Sequence, residues 1–417
     1  MTNDYDVIVI GGGLAGLAAG AMATAAGAST VVLDAHQVGG RARTTERGSF
    51  IFNMGGHALY TGGPGMAVLR QLGVHPAGAK PPLSGYHALR GGELHLLPTG
   101  PSTLMRTKLL GGRGKAQFAR IFGLLPRLDP RRLEGRSADE WLAGLEVRAD
   151  VEVVLRALIR LGTYAADLTE FGADAVVAQL QAAAKAGVLY LDGGWAQLVT
   201  ALEQQVEVKT NTTVRAVTTA AGRVGVVTDD GTLVAGSAVI ATGTPAAARA
   251  VLPHAPGWEG LGEPVTAACL DTALSRVPSP GYVVGIDEPL YATTQSPPAR
   301  QAPPGQAVMA VIRYGARQAE QDRPVLEEHR RRAGVEDRDI VSDRFLARMV
   351  VAGTLPRAAN GGLTGRPVVT ATGLPGVFLA GDWVGPVGLL ADAAFASARA
   401  AALAATGRRP TSATMAG

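Results

Sequence analysis

The sequence predicts an α/β protein: a parallel-sheet domain assembled from three separate stretches of chain, interrupted twice by a second, α+β domain. Three observations predict it. The stretch DVIVIGGGLAGLAAG (Asp6–Gly20) runs from an apolar strand through glycines into an alanine-rich helix. A second apolar run, STVVLDA (Ser29–Ala35), follows that helix and reaches an acid, Asp34. Near the C-terminus, GVFLAGDWVG is a strand that stops at Gly-Asp, and the small-residue helix LLADAAFASARAAALAAT follows it. Strand, helix and strand in that order make a βαβ unit, whose two strands lie parallel.

Composition bounds the rest. A chain of 417 residues is too long for one compact core and suits two domains. Hydrophobic residues make up 47% and charged residues 18%, which describes a folded protein. The net charge of +4 comes from scattered arginines without a long basic tract, so nucleic acid is not an expected partner. The single cysteine, Cys269, excludes an internal disulfide and a cysteine-rich metal site. Seven histidines lie far apart, so no metal is expected. The acidic start MTNDYD leads straight into a strand and carries no signal-peptide pattern. Gly13 to Ala28 is apolar but short and built of small residues. A soluble, cytoplasmic protein is expected.

Along the chain, short strands and glycine turns give way near Pro81 to helical periodicity that lasts to Gly187. VEVKTNTTVRAVTTAAGRVGVVTDDGTLVAGSAVIATGTP then reads as several strands, with a hairpin signal at Asp230-Gly231. Residues from Val265 to Arg313 are rich in strands and proline, and EEHRRRAGVEDRDIV adds a polar helix and turn. One domain is expected from 1–78, 188–264 and 365–417, and the other from 79–187 and 265–364.

The glycine turn carries chemistry. Gly11, Gly13 and Gly16 have the spacing G-x-G-x-x-G between a strand and a helix. The first permits the sharp turn, the second lets the backbone approach a pyrophosphate, and the third lets helix pack on strand. Free N–H groups and the positive end of the helix dipole then face the phosphates. Asp34 ends the next strand, where a carboxylate accepts hydrogen bonds from a ribose diol and repels a 2′-phosphate.

GGRART (Gly39–Thr44) and FNMGGHALY (Phe52–Tyr60) follow closely. With the C-terminal FLAGDWVGPVGLLADAAFASARAAA, they resemble the flavin amine oxidase and phytoene desaturase-like superfamily. The resemblance implies a Rossmann-like FAD-binding domain with an interleaved α+β substrate domain, and non-covalent FAD. It implies cofactor contacts from Gly11, Gly13, Leu14, Ala15, Gly16, Asp34 and Ala35. From the next motifs it implies Gly40, Arg41, Ala42, Arg43, Met54, Gly55, Gly56 and His57. Val214, Ala241, Gly381, Asp382, Leu389 and Leu390 complete the set. Arg41 and Arg43 offer planar guanidinium forks to phosphate or flavin oxygens. The helix opening at Leu389 and Leu390 points its N–H groups toward negative charge on a reduced flavin. The sequence departs from the family at Asn53, where relatives often carry an acid, and at Gly56. It also has no lysine after Lys209, so a lysine-held water at the flavin is not expected.

The second domain is less legible. Tyr291 and Tyr314 are the candidate catalytic residues, and Tyr164, Tyr190 and Trp195 either line a cavity or pack. TKLLGGRGKAQFARIFGLLPRL mixes basic and apolar residues, as a peripheral membrane contact or a solvated helix does. No nucleophilic triad or paired carboxylate stands out, which suits chemistry carried by a cofactor. The expected activity is removal of a hydride from a C–N or C–C unit of a largely apolar small molecule. A flavin-dependent isomerase and a non-enzymatic escort protein of the same fold remain alternatives at this stage.

Overall fold

The computed structural model describes residues 4–407, apart from 83, 254, 256, 257 and 259. Strand β1 (Asp4–Ile10), helix α1 (Leu14–Ala25) and strand β2 (Thr30–Leu33) form the βαβ unit. β1 and β2 pair in parallel, Val7 beside Thr30 and Ile10 beside Leu33. Val7 and Val9 face the layer that contains α1, while Ile8 and Ile10 face the opposite layer. Burial on both faces explains why the run is apolar throughout rather than alternating.

This first sheet has seven strands. Its order is Glu207–Lys209, β2, β1, Gly231–Ile240, Arg223–Thr228, Val214–Ala220, with Val377–Leu379 also pairing on Gly231–Ile240. Stretches far apart in sequence thus share one sheet: Gly231–Ile240 lies parallel both to β1 and to Val377–Leu379. The expected hairpin is present, but Thr228 pairs with Gly231, so the turn residues are Asp229 and Asp230. The turn falls one residue earlier than Asp230-Gly231.

A second seven-stranded sheet has the order Ile340–Ala352, Val265–Leu274, Ala307–Tyr314, Leu290–Ser296, Tyr282–Gly285, His87–Arg90, Glu93–Leu96. Three of its strands correct the sequence reading. The stretch after Pro81 is not yet helical: His87–Arg90 and Glu93–Leu96 form a hairpin closed by Gly91 and Gly92, both at positive φ. Two glycines between short strands suit such a tight turn. Ile340–Ala352 is a 13-residue strand that the sequence hides, because Asp343, Arg344 and Arg348 interrupt its apolar alternation.

Helices begin at Pro101–Arg106 and continue as Gly112–Leu124, Ala138–Gly144, Ala149–Thr163 and Ala173–Ala186. They cover one face of the second sheet, together with Ala267, Cys269, Tyr291, Ala310, Ile312 and Tyr314. The other face presents Ala268, Leu270, Ala292, Met309 and Val311 to Leu326 of helix Ala319–Arg332. The period of two along each strand sorts these residues, and both faces are covered. No helix among the described residues is long and apolar enough to cross a membrane.

The C-terminal helix Leu390–Thr406 packs on α1 and on helix Pro64–Gln71. Ala393, Ala398 and Ala401 are fully buried there, and their small side chains let the helix axes approach closely. Asp392, in the first turn of the C-terminal helix, accepts a hydrogen bond from Gly65 N at 2.8 Å. Burial pushes its pKa up to about 6, against the favourable Gly65 contact. The folded chain therefore holds this proton more tightly than the unfolded chain does. The stabilisation linked to this proton is fully present below pH about 4 and is lost as pH rises through about 6, by about 2–3 kcal/mol. Asp392→Asn removes the charge and keeps an acceptor for Gly65. Urea unfolding is expected to show the variant gaining on wild type across that window, and a constant difference from pH 4 to 7 contradicts it.

Candidate active site

The site begins at the turn between β1 and α1. Gly11 has φ +107°, and a Cβ on it would stand 2.6 Å from Ala241 O, so the turn is closed to larger residues. A Cβ on Gly16 would collide with Gly11 O. Gly13 differs: its φ of −75° suits any residue, and a Cβ there would meet no atom within 4 Å. Gly11 and Gly16 serve close packing within the chain, and Gly13 leaves open space beside the turn. Leu14 and Ala15 open α1 beside it. Asp34 stands just past β2. Its carboxylate accepts Gly12 N at 2.6 Å and His36 N at 2.8 Å, and each oxygen keeps a further lone pair. Ala35 is exposed next to it.

Gly39 and Gly40, both at positive φ, bring the next segment back to the turn, where Gly39 N donates to Gly12 O at 2.7 Å. Arg41 then reaches across the molecule. Its Nη1 donates to Asp382 Oδ2 at 2.8 Å and to Val351 O at 2.7 Å. Desolvation opposes the charge of Arg41, but Asp382 outweighs it and raises the pKa. Ala42 is buried in the α1 layer, while Arg43 is exposed and donates to Gly40 O. Asp382 also accepts Gly353 N at 3.0 Å, and its other oxygen, Oδ1, is buried without a partner. Gly381 is fixed by Ser397, whose Oγ accepts Gly381 N at 2.9 Å. Leu389 and Leu390 lie at the start of the C-terminal helix, with Leu390 held at φ +53°. Ala241 extends Gly231–Ile240 and donates its N–H to Ile10 O, and Val214 begins its strand at the sheet edge.

The segment Met54–His57 crosses to the second sheet. Gly55 has φ +83°, and a Cβ there would strike Met349 Sδ at 2.7 Å. A Cβ on Gly56 would strike Ile312. The ring nitrogens of His57 face Gly55 O at 3.0 Å and Arg41 O at 3.1 Å, and the ring meets Trp195 edge-on at 5.0 Å. Burial lowers the His57 pKa, so a neutral ring donates to one carbonyl at a time. This is a packing and positioning role.

Two charged residues on this face, Asp271 and Arg344, escaped sequence reasoning. Asp271, buried on the site face of the second sheet, pairs with Arg344 at 2.6 Å. Arg344 also bonds the Asn53 carbonyl and lies over the Phe52 ring. Cys269 Sγ lies 3.5 Å from Asp271 Oδ1. Burial raises the Asp271 pKa against the pull of Arg344, and burial with Asp271 keeps Cys269 a thiol rather than a nucleophile. An acid inside the apolar strand AACLDTAL was the available signal, since a buried charge demands a partner.

The candidate tyrosines fall on two sides of that face. Tyr314, which is 2% exposed, meets Tyr164 edge-on at 5.5 Å, and Tyr164 donates to Gly56 O at 2.6 Å. The Tyr314 hydroxyl has no partner. Tyr291 sits opposite Ile312 in the sheet, and Tyr190 shares a hydrogen bond with Thr293 at 3.0 Å. Desolvation raises the pKa of Tyr164, Tyr190, Tyr291 and Tyr314, so all four are neutral phenols.

The fold and this site define a flavoprotein of the amine oxidase type. Residues 14–269, more than half of the chain, match the family model of the flavin containing amine oxidoreductases. The chain belongs to that family, whose cofactor is FAD. Among solved structures it is similar to wild-type putrescine oxidase bound to putrescine, at 16% identity and TM-score 0.74, covering 98% of this chain and 100% of the other. Cyclohexylamine oxidase from Brevibacterium oxydans IH-35A gives 16% identity and TM-score 0.73 over 96% and 99% of the two chains. A proposed protoporphyrinogen oxidase from Exiguobacterium sp. 255-15 gives 20% and 0.70 over 95% and 97%. No curated protein sequence matches.

The residues fit FAD. The open approach at Gly13, the free lone pairs of Asp34 and the partnerless Asp382 Oδ1 supply a phosphate approach, a diol acceptor and a further acceptor. The glycines separate two functions that substitution can tell apart. Gly16→Ala is expected to cost several kcal/mol of apoprotein stability, because the backbone must move. Gly13→Ala is expected to change apoprotein stability by about 1 kcal/mol or less, yet weaken FAD binding about tenfold or more. Thermal melts and flavin fluorescence titration distinguish them, and unchanged FAD affinity in Gly13→Ala contradicts the assignment.

Proposed function

We propose that this FAD-dependent oxidoreductase removes a hydride from a C–N or C–C unit of a largely apolar organic substrate, oriented by phenolic hydroxyls. The observation that carries the reading is the site face of the second sheet. Ala267, Cys269, Ala310 and Ile312 make it apolar, Asp271 is neutralised by Arg344, and Tyr314 presents a buried hydroxyl with no partner. A buried donor without a partner costs about 1–3 kcal/mol, and a substrate acceptor relieves that cost. FAD, when bound, supplies the hydride acceptor.

The chain's own residues position and exclude. Tyr164 holds the Gly56 carbonyl, which fixes the Gly55-Gly56 segment against the sheet. The neutral phenols orient by hydrogen bonding and hold their protons at neutral pH, so none acts there as a base. With no lysine after Lys209, geometry rather than a lysine-held water aligns the reacting bond. The named neighbours that act on amines support a C–N bond, and the proposed protoporphyrinogen oxidase supports a C–C unit.

An anaerobic screen for compounds that bleach the bound flavin tests the reading. Hydrophobic amines or unsaturated carbocycles are expected among the hits, and a free amino acid as best substrate overturns it. No bleaching by any compound, in a yellow protein, favours an isomerase, and a chain that takes up no FAD favours an escort role. Tyr314→Phe is expected to lower kcat/KM about tenfold, by losing one hydrogen bond, while the flavin spectrum stays unchanged. Wild-type kinetics in that variant contradict the role of the hydroxyl.

A further inference from the structure

The charge of the chain is unevenly placed. Residues 97–136 hold nine basic side chains and two acidic ones, a net +7, whereas the whole chain carries +4; the remainder therefore carries −3. Most of these basic groups lack acidic partners. Among the described residues of this stretch, Arg131 with Asp129 is the one ion pair. Arg106, Lys108, Arg113, Arg120, Arg127 and Arg132 are exposed and make no salt bridge. Like charges concentrated on one segment repel, and the Arg131–Asp129 pair compensates only one of the nine.

The same segment exposes apolar surface. Met105 is 73% exposed and Leu124 50%, the former on a helix end tied to helix Gly112–Leu124 by Lys115 Nζ donating to Met105 O at 2.7 Å. Leu124 also lines a groove of about 460 Å³. Its lining includes Ile121, Leu124, Leu128, Trp141, Leu145 and Val147, with Arg120 and Arg127. Trp141 is 6% exposed, with its ring inside the helical layer.

We infer that this face docks on an anionic lipid surface. The arginines and lysines meet the headgroups, and Met105, Leu124 and the groove take up acyl chains. Charge complementarity selects the occupant. A neutral apolar partner leaves the basic groups unpaired, and a polyanion such as RNA leaves Met105 and Leu124 in water. A lipid surface satisfies both at once, as amphipathic basic helices do. The inference does not depend on which substrate the site oxidises.

Cosedimentation of the FAD-loaded protein with vesicles tests it. Phosphatidylcholine vesicles carrying about 30% phosphatidylserine are expected to bind the protein at least tenfold more tightly than phosphatidylcholine alone. Salt of about 0.5 M is expected to remove most of that preference. Arg120→Glu with Arg127→Glu should lower affinity by tenfold or more, since each basic residue near such a surface contributes about fivefold. Leu124→Ser with Met105→Ser should weaken binding while leaving its salt dependence in place. The unchanged flavin spectrum of each variant verifies folding. Equal binding to both vesicle types, no binding to either, or undiminished binding by the arginine variant overturns the proposal, as does tighter salt-sensitive binding to single-stranded RNA.

Discussion

The contact on which the rest depends is Arg41 with Asp382, two residues 341 positions apart. Asp382 is nearly inaccessible, and Arg41 and the Gly353 amide both donate to its Oδ2. Its carbonyl accepts Arg366 Nη1, a buried guanidinium whose pKa desolvation lowers to about 10. Removing one partner of a buried pair costs about 3–5 kcal/mol, because the other charge is stranded. Arg41 keeps 36% of its side chain accessible, so solvent relieves part of that cost on its side. The contact joins the segment after β2, the end of the long strand Ile340–Ala352 and the Gly-Asp that follows Val377–Leu379. The contact ties the first sheet to the second.

That junction explains how one face of the second sheet becomes a site. Val351, whose carbonyl also accepts from Arg41, lies near the end of the strand that carries Arg344. Arg344 neutralises Asp271 and holds the Asn53 carbonyl, at the end of the strand leading into Met54–His57. Gly55 and Gly56 can then lie against Met349 and Ile312 only because neither has a side chain. Fixing one buried carboxylate at each end sets the segment between them. Phenols and aliphatic residues make up much of the remainder.

Much of the first domain was legible because its signals are local. A glycine turn between strand and helix, an acid after the next strand and a terminal Gly-Asp each need only their own neighbours. The second domain depends on pairing across large separations, which no local pattern records. Asp271 and Arg344 read singly as oddities in two strands and acquire meaning only in register. Tyr314 and Tyr164 were visible as aromatics, but the edge-on ring contact and the partnerless hydroxyl come from folding. The basic residues between 97 and 136 looked scattered because they are spaced along the chain; helices and turns expose them on a common segment without acids to answer them.

The central claim is that Arg41 and Asp382 act as one unit that builds the FAD site from distant parts of the chain. A double-mutant cycle of Arg41→Met and Asp382→Asn, read as FAD affinity by fluorescence quenching, tests it most directly. The account predicts that each single variant weakens FAD by about tenfold or more, and that the double variant loses less than the sum, with a coupling of about 1–3 kcal/mol. Strictly additive losses, or single variants that bind FAD as wild type does, contradict it.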